Sequence, residues 1–383
     1  MQEFLEQLIP KSGSIFIFEL FVVILAIQLF YWLVFYSRFL FIKKHNKAGN
    51  TTSNQGVSVI ICAKNESENL QKHLPLFLKQ NYKNFEVIVV NDCSTDDSLA
   101  VLYGLREEYK NLYITNIEPD TKFSHGKKLA QTIGIKAAKN EILLFSDADC
   151  CPVSEDWISS MVEQTDEKTD FILGYGAYKK TKGLLNKIIR YDAFFIGMQY
   201  LSFAKAGIPY MGVGRNLLYK KSVWLKNKGF AGHLHVLSGD DDLFVNKNAN
   251  RKNTKIEVSA TGITESEPNR TFTKYIFQKK RHLTTGKYYK LKHKLLLGTE
   301  ILSRMLFYLL FTLTIALQIL PVWVLGLYLL RLIIQLIITG KAANILNEKK
   351  IFVFIPILDI FTILLNIYLY FAGMFSTKKV KWR

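Results

Sequence analysis

Cysteine is sparse: Cys62, Cys93, Cys150 and Cys151 are the only four in 383 residues. None stands in a CxxC or Cys/His spacing, which excludes the usual structural zinc site. They read as reduced thiols packed in a cytoplasmic domain. Proline (8) and glycine (22) are also few, while 49% of the residues are hydrophobic. Collagen-like, disordered and small disulfide-rich chains are thereby excluded. Acidic residues fall short of basic ones, 32 against 50, for a formal net charge of +18. In a soluble protein that excess would point first to nucleic acid. A membrane protein with basic cytoplasmic flanks accounts for the charge and the apolar content together.

Charge is absent altogether from residues 20–36, and residues 12–18 extend the uncharged stretch beyond Glu19. That is long enough to cross a bilayer, which takes about 20 apolar residues. A cleavable signal peptide would open on a basic stretch. Here residues 1–10 hold Glu3 and Glu6, and the basic residues follow as Arg38, Lys43 and Lys44. The positive-inside rule then puts the N-terminus outside, so residues 1–45 read as a signal anchor. A polar linker at 46–56 leads into residues 57–273, where apolar runs at 57–62, 85–90, 112–116 and 141–145 alternate with helical patterns at 66–78, 98–109 and 127–138. Such alternation implies an α/β domain on a mostly parallel sheet, with ligands at the C-terminal strand edge. A basic juxtamembrane segment is expected at 274–300 and a transmembrane region at 301–383. The latter comprises a hairpin over 301–338, divided at Pro321, and an apolar stretch over 351–375 that holds Pro356 and Asp359. Three crossings after a cytoplasmic domain put the C-terminus outside, while Lys378, Lys379, Lys381 and Arg383 argue for inside. A re-entrant segment around Asp359 would reconcile the two.

Polar residues cluster where the strands end. Ala63-Lys64-Asn65-Glu66 follows the first strand, Asp92-Cys93-Ser94-Thr95-Asp96-Asp97 the second, and Asp147-Ala148-Asp149 the fourth. Asp96 and Asp97 serve equally well as helix caps. Asp147 and Asp149 are harder to explain that way, because two carboxylates so close repel each other unless a cation or donors offset them. A divalent metal, Mg²⁺ or Mn²⁺, carrying a diphosphate fits, since such ions bind through one or two carboxylates plus substrate phosphates. With Gly126-Lys127 between the second and third clusters, the motifs describe one nucleotide-binding edge.

In these motifs residues 57–282 resemble the family 2 glycosyltransferases, inverting enzymes of the GT-A fold (Rossmann-like, mostly parallel sheet) that use nucleotide-sugar donors. The resemblance implies that Ala63, Asn65 and Glu66 form the first nucleotide-binding loop and that Asp92 contacts the base. Gly126-Lys127-Lys128-Leu129-Ala130 resembles the GKxxAxN segment, with Thr132 in place of Asn, and implies a substrate-binding Lys127. Asp147 and Asp149 match the DxD motif, Asp149 being the more direct metal ligand. Gly239-Asp240-Asp241 resembles the [TG]-[ED]-D motif, which makes Asp241 the catalytic base and Asp240 its substrate-side neighbour. Helix capping before residues 243–247 is the competing reading of this acidic run. Gln278-Lys279-Lys280-Arg281-His282 resembles the (Q/R)xxRW motif, with His282 in place of Trp; Gln278 and Arg281 are then substrate-binding. Arg215, in the acceptor-side Gly214-Arg215-Asn216 segment, reads either as a functional or as a structural cation.

Between Lys274 and Lys294 the chain carries basic residues and no acid, interleaved with Tyr275, Phe277, Tyr288 and Tyr289. Nucleic-acid binding is one reading of such a stretch. Because it runs into the apolar hairpin, an interfacial segment on anionic lipid is the simpler one, with no nucleic-acid partner. The expected function is a membrane-integral glycosyltransferase of the bacterial inner or plasma membrane, with its catalytic domain cytoplasmic. It would move a sugar from a UDP-sugar, or alternatively a GDP-sugar, to a lipid or lipid-linked acceptor. A processive polysaccharide synthase is the alternative, and a non-enzymatic membrane scaffold with a degenerate nucleotide fold a third reading.

Overall fold

A computed structural model describes residues 15–42, 55–119, 126–236 and 238–374. Residues 1–10, most of the linker expected at 46–56, and the basic tail from Lys378 lie outside the described residues. The chain divides into two compact units. One holds the first helix and the last three; the other holds both sheets and the helices around them.

In the α/β unit, β1 (Val57–Ala63) and β2 (Phe85–Asp92) are buried along nearly their whole length. Continuous apolar runs of this kind belong to parallel strands covered on both faces. With β3 (Leu112–Ile117), β4 (Ile142–Asp147), β6 (Phe171–Gly174), β8 (Leu217–Lys220) and β9 (Thr254–Glu257) they form a seven-stranded sheet of order β3-β2-β1-β4-β8-β6-β9. The first four strands run parallel and β8 runs antiparallel to β4 and β6. A second sheet, β5-β10-β7, joins β5 (Cys150–Pro152), β7 (Gly176–Tyr178) and β10 (Thr264–Ser266).

Helix α1 (Ile15–Phe30) belongs to the helical unit, and α2 (Ser67–Leu78) is the first helix of the α/β unit. Leu70, Leu74 and Phe77, spaced to share one stripe of α2, pack on the Val57, Val59 and Ile61 face of β1. Each such side chain contributes about 1.5–3 kcal/mol by burial. Helices α3 (Ser98–Glu108) and α4 (Lys127–Ala137) follow β2 and β3. Alternation along β1 puts Ile60 on the other face, and there α4 comes so close that a Cβ on Gly134 would lie 2.8 Å from Ile60 Cγ2. Strand order reverses between β1 and β4, whose C-terminal ends lie side by side with Cys62 opposite Asp147. In open α/β sheets the crevice beyond such a reversal is where ligands bind.

The remaining helices are α5 (Trp157–Glu163), α6 (Leu184–Lys205), α7 (Lys221–Lys226), α8 (Asp242–Asn248), α9 (Phe272–Leu283), α10 (Leu291–Ala316), α11 (Pro321–Ile345) and α12 (Ile355–Met374). Residues 274–289 pack with the α/β unit, and residues 290–300 open the helical one. Pro321 does not break a helix; it starts α11, where its missing N–H costs nothing. Among the described residues, four segments are long and apolar enough to cross a membrane: Ile15–Phe41, Leu291–Ala316, Pro321–Ile345 and Lys349–Leu369. Asp359 lies within a continuous helix, Ile355–Met374. Asp359 is tolerated there because it is paired: Arg304 lies at 3.1 Å and Arg331 at 3.6 Å, and the Tyr308 hydroxyl donates to it at 2.7 Å. Arg331 also reaches Gln28 of α1 at 3.1 Å, and Arg304 reaches Glu300 at 3.4 Å. Two arginines and two carboxylates leave this buried group neutral, the condition under which ionised side chains persist among apolar helices.

Candidate active site at the strand ends

Two residues just past the strand ends hold left-handed backbone, Asn65 (φ 54°) after β1 and Cys93 (φ 53°) after β2. Asparagine tolerates this region, whereas for other side chains it is uncommon and is kept only where surrounding contacts enforce it. Those contacts tie the two loops together. The Asn65 amide donates to Ser94 Oγ at 2.9 Å, and Thr95 N–H donates to Asn65 Oδ1 at 2.8 Å. Asp96 accepts from the amides of Ser67 (3.1 Å) and Ser98 (3.0 Å), so it acts as a capping residue for two helix starts. Asp92 closes β2 fully buried, and Ala63 closes β1 in the same state. Glu66 accepts from Asn69 at 2.6 Å. Burial pushes its carboxyl up, and Asp149 and Asp147 add to the shift against that hydrogen bond.

Asp147 ends β4 and Asp149 follows two residues on. Lys127, at the start of α4, donates to Asp147 Oδ1 at 2.7 Å and lies 3.4 Å from Asp240. Burial works against the Lys127 ammonium, but Asp147 and Asp240 outweigh it and raise it well above the usual lysine range. Asp147 is pushed up by burial and brought lower overall by Lys127, Arg215 and Arg281. Asp149 has no such cation in first place; burial and Asp147 raise it.

Ligand atoms of Asp147, Asp149 and Cys150 lie within 4.8 Å of one another. Burial holds the Cys150 thiol well above its usual range, and it donates to Asp149 at 3.3 Å instead of offering a thiolate. The donor set that remains is two carboxylates whose charges repel. It fits a hard divalent cation such as Mg²⁺ or Mn²⁺.

The third element is the start of α8. Asp241 accepts from its neighbour Asp242 N–H at 2.7 Å and from the Gly214 amide at 2.6 Å. A Cβ on Gly214 would sit 3.1 Å from Asp241 Oδ2, so this approach suits glycine. Burial raises the Asp241 carboxyl to about 7, with Asp240 and Asp242 adding to it and Lys127 opposing. Asp240 is buried against Lys127 and Gln131, whose amide donates at 2.9 Å. Asp242 faces away from this pair: Thr285 and the Tyr289 hydroxyl (2.8 Å) donate to it, and burial raises it. The acidic run therefore caps α8 and also presents a proton acceptor; both readings of it apply.

The last element is α9. Gln278 accepts from Asn269 at 2.7 Å and contacts the Tyr178 hydroxyl, while Lys279 is spent on Asp192 at 2.7 and 2.9 Å. Arg281 is half-buried and close enough to Asp147 to lower its carboxyl, whereas His282 is exposed.

One edge thus gathers Glu66, Lys127, Asp147, Asp149, Asp240, Asp241 and Arg281. Asn65 and Asp92 shape the adjoining loops, and Gln278 bonds to Tyr178 on the α9 side. Sequence reasoning missed Gln131, Thr285 and Tyr289, which hold the acidic run from 43 to 109 residues away in the chain. No local motif marks them.

Residues 58–224 match the model of Glycosyl transferase family 2. A poly-beta-1,6-N-acetyl-D-glucosamine synthase of Staphylococcus epidermidis is 29% identical over 210 residues, 52% of this chain and 49% of that protein. The namesake enzyme of Staphylococcus aureus strain COL is 29% identical over 177 residues, 45% of this chain and 41% of the relative. The chain spans about half the length of the curated relatives it matches. A mannosyltransferase from Pyrobaculum calidifontis, solved in complex with GDP-Man and Mn²⁺, superimposes with a TM-score of 0.57 at 17% identity, over 92% of this chain and 98% of that one. That likeness is one of fold. Glu66, Lys127, the DxD loop and Arg215 fall inside the matched segment, while Asp240, Asp241 and Arg281 lie beyond it, and residues 58–224 carry a family 2 glycosyltransferase domain of the GT-A fold.

Proposed function

We propose that the chain is an inverting glycosyltransferase, held in the membrane with its α/β unit on the cytoplasmic side, that moves a sugar from a nucleotide-sugar donor to a lipid or lipid-linked acceptor. One observation carries the reading: Asp241, raised to about 7, shares an edge with the Asp147/Asp149 pair. A carboxylate at that value is matched to proton transfer near neutral pH. In a single displacement the acceptor O–H gives its proton to Asp241, and the freed oxygen forms a bond to the anomeric carbon. The bond from that carbon to the donor's diphosphate breaks, and the nucleoside diphosphate departs with the electron pair. The Gly214 and Asp242 amides fix the Asp241 carboxylate for this task. Lys127 sets the spacing of Asp147 and Asp240. Asp147 and Asp149 would hold a divalent ion, which would supply charge stabilisation to the departing diphosphate, and Arg281 adds a fixed cation on the same edge.

UDP-sugars are favoured as donors by the family, and GDP-sugars fit the same edge. A lipid-type acceptor is supported by the four membrane-length helices. A second reading, a processive polysaccharide synthase, is favoured by the names of the Staphylococcus relatives. Membranes holding the protein, incubated with radiolabelled nucleotide-sugars and Mg²⁺ or Mn²⁺, distinguish them. We expect label in the organic extract; label confined to high-molecular-weight polymer would overturn the lipid-acceptor reading in favour of the synthase.

A further inference from the structure

Every lysine cation of the site described so far has a carboxylate partner, Lys127 on Asp147 and Asp240 and Lys279 on Asp192. Arg215 does not: among the described residues it forms no ion pair. Its backbone is nonetheless fixed with care. The Arg215 carbonyl accepts from Ser146 Oγ at 3.2 Å, one residue before Asp147, and from Thr264 Oγ1 at 3.0 Å. Next to it Asn216 is fully buried, donating to the carbonyls of Tyr175 (2.9 Å) and Gly262 (2.8 Å) and accepting from Trp157 Nε1 (3.1 Å).

The side chain crosses Gly176, where a Cβ would lie only 2.3 Å from Arg215 Nε, so glycine there makes its path. The guanidinium carbon rests 4.5 Å from the centre of the Tyr178 ring. Its Nη1 donates to Ser266 Oγ at 3.4 Å; that hydroxyl is 2.9 Å from Cys150 Sγ, which in turn donates to Asp149. On the far side the Tyr178 hydroxyl contacts Gln278. Arg215 therefore stands between the DxD loop and α9, at the mouth of the strand-end crevice.

A guanidinium carries five N–H donors in a planar fork, and Ser266 and Tyr178 engage only part of them. Arg215 is near enough to Asp147 and Asp149 to lower their carboxyls but has neither in ion-pair contact; fixing a partly desolvated cation this way, beside a crevice that must accept an anion, offsets its desolvation cost when the anion arrives. Planar, bidentate donation is also the geometry that arginine offers to phosphate. We propose that Arg215 is a phosphate-binding residue of this site, resting on the glycosyl-transfer reading above. The phosphate belongs either to the donor's diphosphate or to a phosphorylated lipid acceptor, and both offer the same oxygens.

The test uses the full-length protein purified in detergent, as wild type, Arg215→Gln and Arg215→Lys, with unfolding temperature measured for each. UDP, GDP, UMP and GMP are titrated with Mn²⁺ and again in EDTA. Binding by the donor's diphosphate predicts that Arg215→Gln weakens UDP and GDP by about 10- to 100-fold and the monophosphates far less, in both buffers. Arg215→Lys should recover part of the loss, since the charge returns without the fork. If nucleotide affinities stay within about twofold of wild type, KM is compared for a short polyprenyl phosphate and the matching alcohol. A rise for the phosphate alone assigns Arg215 to the acceptor. Unchanged affinities and an unchanged KM for both acceptors would overturn the proposal and leave Arg215 a structural cation on Tyr178. Equal losses for di- and monophosphates would overturn it too. Wild-type protein that binds no nucleotide at all would instead defeat the glycosyl-transfer reading, and this inference with it.

Discussion

Asp241 is one of three adjacent carboxylates, and its neighbours have other partners: Asp240 lies against Lys127 and Gln131, and Asp242 receives Thr285 and Tyr289. Only Asp241 is held by backbone amides alone, with its proton affinity raised to about 7. The sign follows directly. The base must be ionised to accept a proton, so kcat/KM should fall as pH drops through about 7. Asp240→Asn removes the second cause of the shift, so the acid limb should move to lower pH; a pH–rate profile of both proteins checks this. Asp241→Asn keeps the shape and loses the base, and should lower kcat by about 10²–10⁴ while donor affinity holds, measured by turnover beside nucleotide titration. The acids of this site were legible in sequence because they fall at strand ends, where a parallel sheet places ligands. The electrostatic state of each was not. Lys127 could be read as substrate-binding from its motif, whereas its ion pairs depend on residues 20 and 113 positions away that only the folded chain brings together.

Among elements, the segment after α9 is tied to the start of α8 through Asp242. Tyr289→Phe combined with Thr285→Val leaves that buried carboxylate without its hydroxyl donors. Loss of a hydrogen bond to a charged group costs about 1.5–3 kcal/mol, so we expect a lower unfolding temperature and reduced turnover with donor affinity largely retained. An unfolding temperature equal to wild type would show that the latch contributes nothing. Helix α4 offers a second check. Gly134→Val would force a branched side chain against Ile60 and Val90, and overpacking of this kind costs about 1–3 kcal/mol, readable as thermal destabilisation. The first four strands and their helices were legible in outline from the alternation of apolar runs and amphipathic patterns. The second sheet was not, because its strands are three residues long and their pairing depends on positions 88 to 116 residues apart. Pro321, by contrast, was legible: the apolar stretch divided there, and the second helix of the pair starts on it.

At the scale of the whole molecule, part of the opening charge excess of +18 falls beside helices long and apolar enough to cross a membrane, as Arg38 and the lysines of residues 287–294 do. Inside the helical unit, Arg304, Arg331, Glu300 and Asp359 form a neutral buried group that joins four helices. Arg331→Leu should destabilise this unit by about 3–5 kcal/mol, because it strips one partner from a buried charge. Replacing Arg331 and Asp359 together by apolar residues should cost less than the sum of the single changes, measured by thermal unfolding in detergent. Sequence alone read Asp359 as a misfit in its apolar stretch; its partners lie 28 and 55 positions away, on other helices. The claim that binds these scales is that the strand-end crevice transfers a sugar by way of Asp241. The most direct measurement follows label from a panel of radiolabelled nucleotide-sugars into the organic extract of membranes holding either wild type or Asp241→Asn. We predict labelled lipid product with wild type and its loss in the variant, which still binds the donor. Equal transfer by both would contradict the account.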